Sequence, residues 1–278
     1  MTKGGKLLTT TLYRGKILMN TTLPPNHRWV ETEDGSFTLF SETFQEACHS
    51  TSGARQETLL HYIHGCKIKE KILTQTSLSI LEVGFGLGVG FLTTLNFLIE
   101  FKKPFSFLSL ELDEKLLEWF RLQNLTHPFL KDLEWIEERG SKRLEVKTSS
   151  FQLVILCGDA RQTLPLFLSH RDFFWDAIYQ DAFSPKKNPS LWTVEWFNLL
   201  KEYSRPNVIL STYSASSSIR KSLLEAGWHL YPGEKFGPKR SSTRASLQGK
   251  SDQEILLQLV RSPVLALKDD NLLNMLTK

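Results

Sequence analysis

The chain has little cysteine and no long apolar run. Three cysteines, Cys48, Cys66 and Cys157, are scattered over 278 residues without a CxxC pair. That excludes a disulfide framework and points to a reducing compartment. No stretch approaches the ~18 consecutive apolar residues that would span a bilayer. The opening MTKGGKLLTTTLYRGKILMN carries basic residues but no continuous apolar block of the kind a secretory signal needs, so a soluble cytoplasmic protein is expected. There is no internal repeat and no low-complexity tract, which excludes solenoids and compositionally disordered tails. Nor is there an extreme of charge: the net charge of +4 is compatible with an anionic partner without requiring one. A metal centre is not expected either. His61, His64 and Cys66 lie close in sequence, but their spacing is no zinc pattern and no second ligand pair is nearby.

What is present is organised around Leu78–Leu98, LSILEVGFGLGVGFLTTLNFL. An apolar run gives way to glycines at 84, 86, 88 and 90 and then to apolar residues at helical spacing, which predicts a strand, a tight turn and a helix. Glycine lets the backbone turn sharply and lets a ligand sit against the main chain. The following helix points free N–H groups and its positive end at the turn. A bare βα turn fits the glycines equally well, but two acids favour a nucleotide-like ligand. Glu82, at the end of an apolar strand, is costly without a partner. Glu111 ends the next strand, roughly twenty residues beyond the glycines, where an acid accepts hydrogen bonds from ribose hydroxyls. Asp113 is better placed than Glu111 to cap the helix that follows.

The rest of the chain divides into an N-terminal β-rich extension with a lead-in helix, residues 1–65, and an α/β domain, residues 66–278. Loose alternation near Thr9–Tyr13 and Ser36–Phe40, with an Asp34-Gly35 turn, predicts short strands or a hairpin. Leu59, Leu60 and Ile63 make the apolar face of the lead-in helix, and Glu57 suits its N-terminal end. Residues 123–150 read as an insertion or an ordinary connection, with a candidate helix around Phe129–Glu138. Phe151–Cys157 is a buried strand running into Gly158-Asp159-Ala160, where Asp159 either meets an adenine amino group or caps a helix. Trp175–Tyr179 is the next strand and leads into QDAFSPKKNP. Asp181 therefore leaves the carboxyl end of a strand, the side on which ligands bind in open α/β sheets. Ser190 is the expected cap of a helix over 191–203. Lys235–Lys250 holds five basic residues and no acid, which makes it either a solvated loop or a phosphate-contacting surface. The last 25 or so residues are compatible with strand or helix.

Acids at the ends of four successive strands favour S-adenosylmethionine over a dinucleotide, since a sulfonium nucleoside needs carboxylates for its ribose and sometimes for its adenine and amino group. On this reading Gly84, Gly86, Gly88, Glu82 and Glu111 are candidate cofactor residues, with Glu111 at the ribose, while Asp159 remains open between the adenine and a helix cap.

The segments LEVGFGLGVGFL, LELD, GDA, QDAFSPKKNPSLW, STYSASSSIRKSLLEAGW and FGPKR together resemble the methyltransferase component of the MnmC family, which completes 5-methylaminomethyl-2-thiouridine at the tRNA wobble position. HSTSGARQET resembles a further family motif and brings Glu57 to the cofactor site. The resemblance covers most of the chain and implies a Rossmann-like class I methyltransferase with a mostly parallel seven-stranded sheet and helices on both faces. It implies S-adenosylmethionine as cofactor and tRNA as partner. It also implies a stand-alone form lacking the family's flavin-dependent oxidase domain, with a separate oxidase or upstream enzyme supplying the substrate. Asp181 would orient the acceptor amine and take its proton, or else hold the cofactor's amino group. Phe183 or Trp192 would stack on the base, or belong to the core. Lys187, Asn188, Lys239 and Arg240 would contact the tRNA. Val89-Gly90, Ala182 and Pro238 depart from the family pattern and bear on substrate fit. Two other readings fit the fold: an aminopropyltransferase or other small-amine transferase, and a non-catalytic tRNA-binding protein.

Overall fold

The computed structural model describes residues 23–31, 37–48, 53–169, 171, 173–234 and 242–275. It opens with three short strands, β1 (His27–Glu31), β2 (Phe37–Ser41) and β3 (Glu46–Ala47), paired antiparallel in that order. The Asp34-Gly35 turn and the alternation at Thr9–Tyr13 lie outside the described residues. Helix α1 (Ala54–Glu57) runs on as a π-helix over Thr58–His64, followed by α2 (Ile68–Thr74). Then come β4 (Leu78–Val83), α3 (Val89–Leu98), β5 (Phe105–Glu111) and α4 (Glu114–Gln123), the strand–turn–helix order expected from the glycines. Asp113 caps α4 by accepting from Lys115 N at 2.8 Å and Leu116 N at 3.1 Å, as its position predicts.

Residues 123–150 correct the sequence reading. No helix forms around Phe129–Glu138; instead β6 (Glu134–Glu138) and β7 (Ser141–Lys147) make an antiparallel hairpin. Its two-residue turn, Arg139-Gly140, has φ of 49° and 76°, the left-handed pair that matches the twist of a hairpin. An arginine in the first of those positions hides the turn from composition. After it come β8 (Phe151–Cys157), α5 (Ala160–Leu168), β9 (Trp175–Gln180), a 3₁₀ turn (Pro189–Trp192), α6 (Val194–Glu202), β10 (Ser204–Thr212), α7 (Ser217–Glu225), β11 (His229–Pro232) and β12 (Thr243–Ser246). The C-terminal stretch is helical, α8 (Gln253–Arg261) and α9 (Asp269–Met275). Thr193, not Ser190, caps α6, its hydroxyl accepting from Trp196 N.

Among the described residues the main sheet has nine strands in the order β11-β12-β10-β9-β4-β5-β8-β7-β6. The expected seven are extended by the β6–β7 hairpin, which pairs antiparallel with β8. The central five, β8, β5, β4, β9 and β10, are parallel neighbours. Strands covered on both faces read as near-continuous apolar runs, which is why β4, β8 and β9 were legible. One face packs Trp192, Trp196, Phe197 and Trp228 against α5–α8. The other packs Phe85, Phe91, Phe107 and Phe120 with α2–α4. Leu39, Tyr62 and Ile63 belong to this second layer, so the N-terminal segment shares the core of the large domain. No described helix is long and apolar enough to cross a membrane.

Candidate active site

β4 lies between β5 and β9, and the chain leaves it first to one side and later returns on the other. This switch point opens a crevice beyond the carboxyl ends of the strands. At its base, Gly84 N and Phe85 N both donate to Leu110 O at 3.1 Å, and Asp181 N donates to Val83 O at 2.9 Å. Gly84 has φ 99°, and a Cβ there would come within 2.7 Å of the Asp181 carbonyl oxygen. Only glycine lets the turn and the β9 loop meet so closely. Gly86 N donates to Glu111 Oε2 at 2.9 Å, and Asp113 N donates to Oε1 at 3.0 Å. These bonds orient the Glu111 carboxylate at the mouth of the turn and leave lone pairs for further donors. Burial raises the Glu111 pKa, and the two backbone donors work against that rise.

A cavity of about 810 Å³ extends from this floor to a roof formed by the N-terminal sheet. Gly84, Gly86, Glu111, Asp159, Asp181, Phe183, Asn188 and Glu57 all line it. Asp159 is exposed there and accepts from Arg161 N at 2.9 Å, so it caps α5 while facing the cavity. Glu82 does not line the cavity. It is 2% exposed behind the glycine turn, accepts from Ser109 Oγ at 2.7 Å, and lies so close to Gly90 that a Cβ there would collide with Oε1. Burial raises its pKa well above the usual carboxylate value. Gly88 also sits outside the lining; it starts α3 with φ 71° and is packed by Phe85 and Phe120.

The side of the cavity formed by the β9 loop and the N-terminal sheet differs more from expectation. Trp192 is fully buried and donates from Nε1 to Phe183 O at 2.8 Å, so it supports the loop from within the core and offers no face for stacking. Phe183 does reach the cavity, stacked on Phe44 with ring centroids 4.5 Å apart. Glu46 ties the roof to the same loop, accepting from Ser184 N at 3.1 Å and Ser184 Oγ at 2.8 Å. Tyr213 also lines the cavity and donates to Ala182 O at 3.0 Å. Lys187 is exposed and is not part of the lining. Lys239 and Arg240 lie outside the described residues.

Asp181 accepts from Tyr62 Oη at 2.5 Å, across a long interval of sequence. Phe44 and Glu46 carried no motif, Tyr62 only bordered the motif around Glu57, and Tyr213 lay inside the segment STYSASSSIRKSLLEAGW without being given a role. His61 is buried with Nε2 4.0 Å from Glu57, His64 is exposed, and the Cys66 thiol bonds backbone carbonyls of β9 and β10. Burial pushes that thiol up to about 12, so it is a packing group rather than a nucleophile.

Charge gives the cavity its chemical character. Of its lining ionisable residues, seven are carboxylates and Lys115 is the sole lysine or arginine, although the chain as a whole carries +4. A low-dielectric cleft of one sign concentrates ligands of the other, so this one suits a cation. A sulfonium nucleoside with an ammonium tail fits both the charge and the glycine-lined floor, and the volume lies within the range of cofactor sites.

Residues 121–248 match the family described as S-adenosyl-L-methionine-dependent methyltransferase. The crystal structure of MNMC2 from Aquifex aeolicus is 31% identical and superposes with a TM-score of 0.72, covering 88% of this chain and 80% of that one. The chain belongs to the MnmC methyltransferase family. It is therefore an S-adenosylmethionine-dependent methyltransferase of class I fold. The bifunctional protein MnmC of Ralstonia nicotianae, named for tRNA 5-methylaminomethyl-2-thiouridine biosynthesis, is 31% identical over 84% of this chain. An uncharacterised protein of Methanocaldococcus jannaschii is 27% identical over 80% of it. The chain spans 60% of the archaeal protein and 35% of the bifunctional one.

Proposed function

We propose that this family member methylates the aminomethyl nitrogen of a modified wobble uridine in tRNA, converting 5-aminomethyl-2-thiouridine to its methylamino form. The observation that carries the reading is Asp181, a carboxylate at the switch point that faces an acidic cavity and is braced by Tyr62. Bound S-adenosylmethionine supplies an electrophilic methyl group on a sulfonium. Glu111, Gly84 and Gly86 hold the nucleoside and methionine ends, with Asp159 and Glu57 at the adenine and amino groups. Glu82 acts from behind, as a brace beneath the turn. Asp181 orients the acceptor amine in line with the methyl carbon, and such positioning supplies much of the barrier reduction. The ammonium form must first give up a proton, which Asp181 accepts or passes to water; the free amine would then form the N–C bond as the S–C bond breaks and its electron pair stays on sulfur. The stacked pair Phe183 and Phe44 presents an outer ring face to the extruded base, since unpaired bases are read by stacking. Lys187, Asn188, Lys239 and Arg240 meet the anticodon loop. A separate enzyme must first generate the free amine. A cytoplasmic location follows from that substrate.

The acidic cavity also favours a second reading, transfer to a small polyamine. The direct test offers the purified protein labelled S-adenosylmethionine with tRNA from cells lacking the modification, and in parallel decarboxylated cofactor with polyamines. Label in a methylaminomethyl nucleoside supports the proposal. Aminopropylated polyamine with no labelled tRNA overturns it. Reversing the charges of Lys239 and Arg240 should weaken tRNA binding and lessen its salt dependence; unchanged binding would remove both residues from tRNA contact.

A further inference from the structure

The π-helix over Thr58–His64 carries a residue that the proposed mechanism has not fully used. In an α-helix the Gly65 N–H would bond the carbonyl of His61. Here it donates instead to Leu60 O at 3.2 Å, one residue further back. The His61 carbonyl, released from the helix, is taken by the Ser211 hydroxyl on β10. Gly65 fits against the same carbonyl where a Cβ would collide. Long π stretches are rare and persist where a function requires the altered side-chain phase.

That altered phase brings Tyr62 to Asp181. The Tyr62 ring is 2% exposed and stacks on Tyr179, centroids 5.1 Å apart, so it has no freedom to follow a moving carboxylate. Its hydroxyl is the 2.5 Å donor to Asp181 Oδ1. We propose that Tyr62 is a positioning residue that holds the Asp181 carboxylate in its working rotamer for the acceptor amine, and that the Ser211-strapped π-turn exists to deliver it. The proposal rests on the functional reading given above for Asp181. Burial and the nearby Asp181 charge hold the Tyr62 phenol well above its ordinary value, so it stays a proton donor across the working pH range and Asp181 stays the acceptor.

Several titrating groups face this pair. Glu57 and Tyr62 come from the α1 segment, Tyr213 from the end of β10, Glu82 from β4, and Cys48 and Glu46 from the roof. All but Tyr62 stay in place in the variant Tyr62→Phe, which removes one oxygen and keeps the stacked ring. A change in that variant therefore reports the single hydrogen bond.

The test follows the Asp181 carboxyl carbon by NMR in cofactor-free protein labelled at aspartate, the signal assigned by its loss in Asp181→Asn. A hydrogen bond to the ionised form lowers a carboxyl pKa, so Tyr62→Phe should move the Asp181 midpoint to higher pH by about one unit. With undermodified tRNA as acceptor, kcat should fall about tenfold or more, while S-adenosylmethionine affinity stays within about threefold. Ser211→Ala, which loosens the strap and leaves Tyr62 intact, should shift both readouts in the same direction by less. An unchanged Asp181 titration or a wild-type kcat in Tyr62→Phe overturns the positioning role, and wild-type behaviour of Ser211→Ala overturns the role of the π-turn. If the wild-type protein methylates no tRNA, the functional reading fails while the titration still decides whether Tyr62 governs Asp181.

Discussion

The floor of the cavity and its roof are built by different kinds of chain. The floor is local: Gly84, Gly86 and Glu111 come from two neighbouring parallel strands and the turn between them. Its key hydrogen bonds run from backbone N–H groups to one carboxylate. The roof and the wall below it are assembled from remote pieces, with Phe44 and Glu46 from the small sheet, Tyr62 from the π-helix, Asp181 and Phe183 from the β9 loop and Tyr213 from the end of β10. A floor made by backbone geometry depends little on which side chains surround it. A roof made by long-range side-chain contacts is where one member can differ from another in the molecule it methylates.

That division predicts separable failures. The largest effect belongs to Asp181→Asn. Single-turnover methyl transfer to undermodified tRNA should drop about 100- to 1000-fold, with S-adenosylmethionine affinity by calorimetry nearly unchanged. Loss of cofactor binding instead would move Asp181 to the floor. Glu111→Ala should do the opposite. Two backbone donors lose their acceptor along with the proposed ribose contacts, so cofactor affinity should weaken about 10- to 100-fold, and kcat at saturating cofactor should survive. Phe44→Ala tests the roof alone. A stacking face is worth about 1–3 kcal/mol per base, so KM for tRNA should rise about fivefold or more while cofactor affinity holds. A parallel rise in cofactor Kd would show that the roof and floor are one unit.

The smallest expected effect concerns Glu82, which lies beneath both. Its pKa in the folded state is raised by burial, chiefly, and by the Asp181 and Glu111 charges, against the Ser109 hydrogen bond. The folded state thus holds that proton more tightly than the unfolded one. Stability from this group is greatest below the unfolded carboxylate pKa and declines as pH rises toward the raised value. Glu82→Gln removes the titration and keeps an acceptor for Ser109. Its melting temperature relative to wild type should therefore climb by a few degrees between acid and neutral pH. A difference that stays flat with pH would mean that Glu82 ionises without cost.

How far the sequence could be read follows the same line. Glu111 and the glycines were legible because a βα turn is decided within a few dozen residues, by φ values that only glycine reaches easily and by an acid in register with them. Asp181 was legible because it ends a buried strand. Trp192 was not, because an aromatic beside a predicted loop looks the same whether it turns outward to a base or inward to the core. Here its indole nitrogen finds Phe183 O and its ring is fully buried. Glu82 misled for a related reason. A carboxylate before the glycines implies a partner, but the partner proved to be Ser109 on the neighbouring strand rather than a ligand. The β6–β7 hairpin escaped because its turn uses an arginine where asparagine or glycine would have announced it.

The amino-acid sequence by itself determined the α/β order, the parallel core strands, the glycine turn and the acids at the strand ends. Each depends on backbone preference or on apolar pattern over short spans, where few competing conformations exist. Tertiary structure decided which acids reach the cavity, which aromatics face it, and that a π-turn strapped by Ser211 brings Tyr62 to Asp181. Those outcomes depend on side chains far apart in the chain. The free energy that selects one rotamer or one helical phase comes from packing against neighbours that exist only once the sheet has formed.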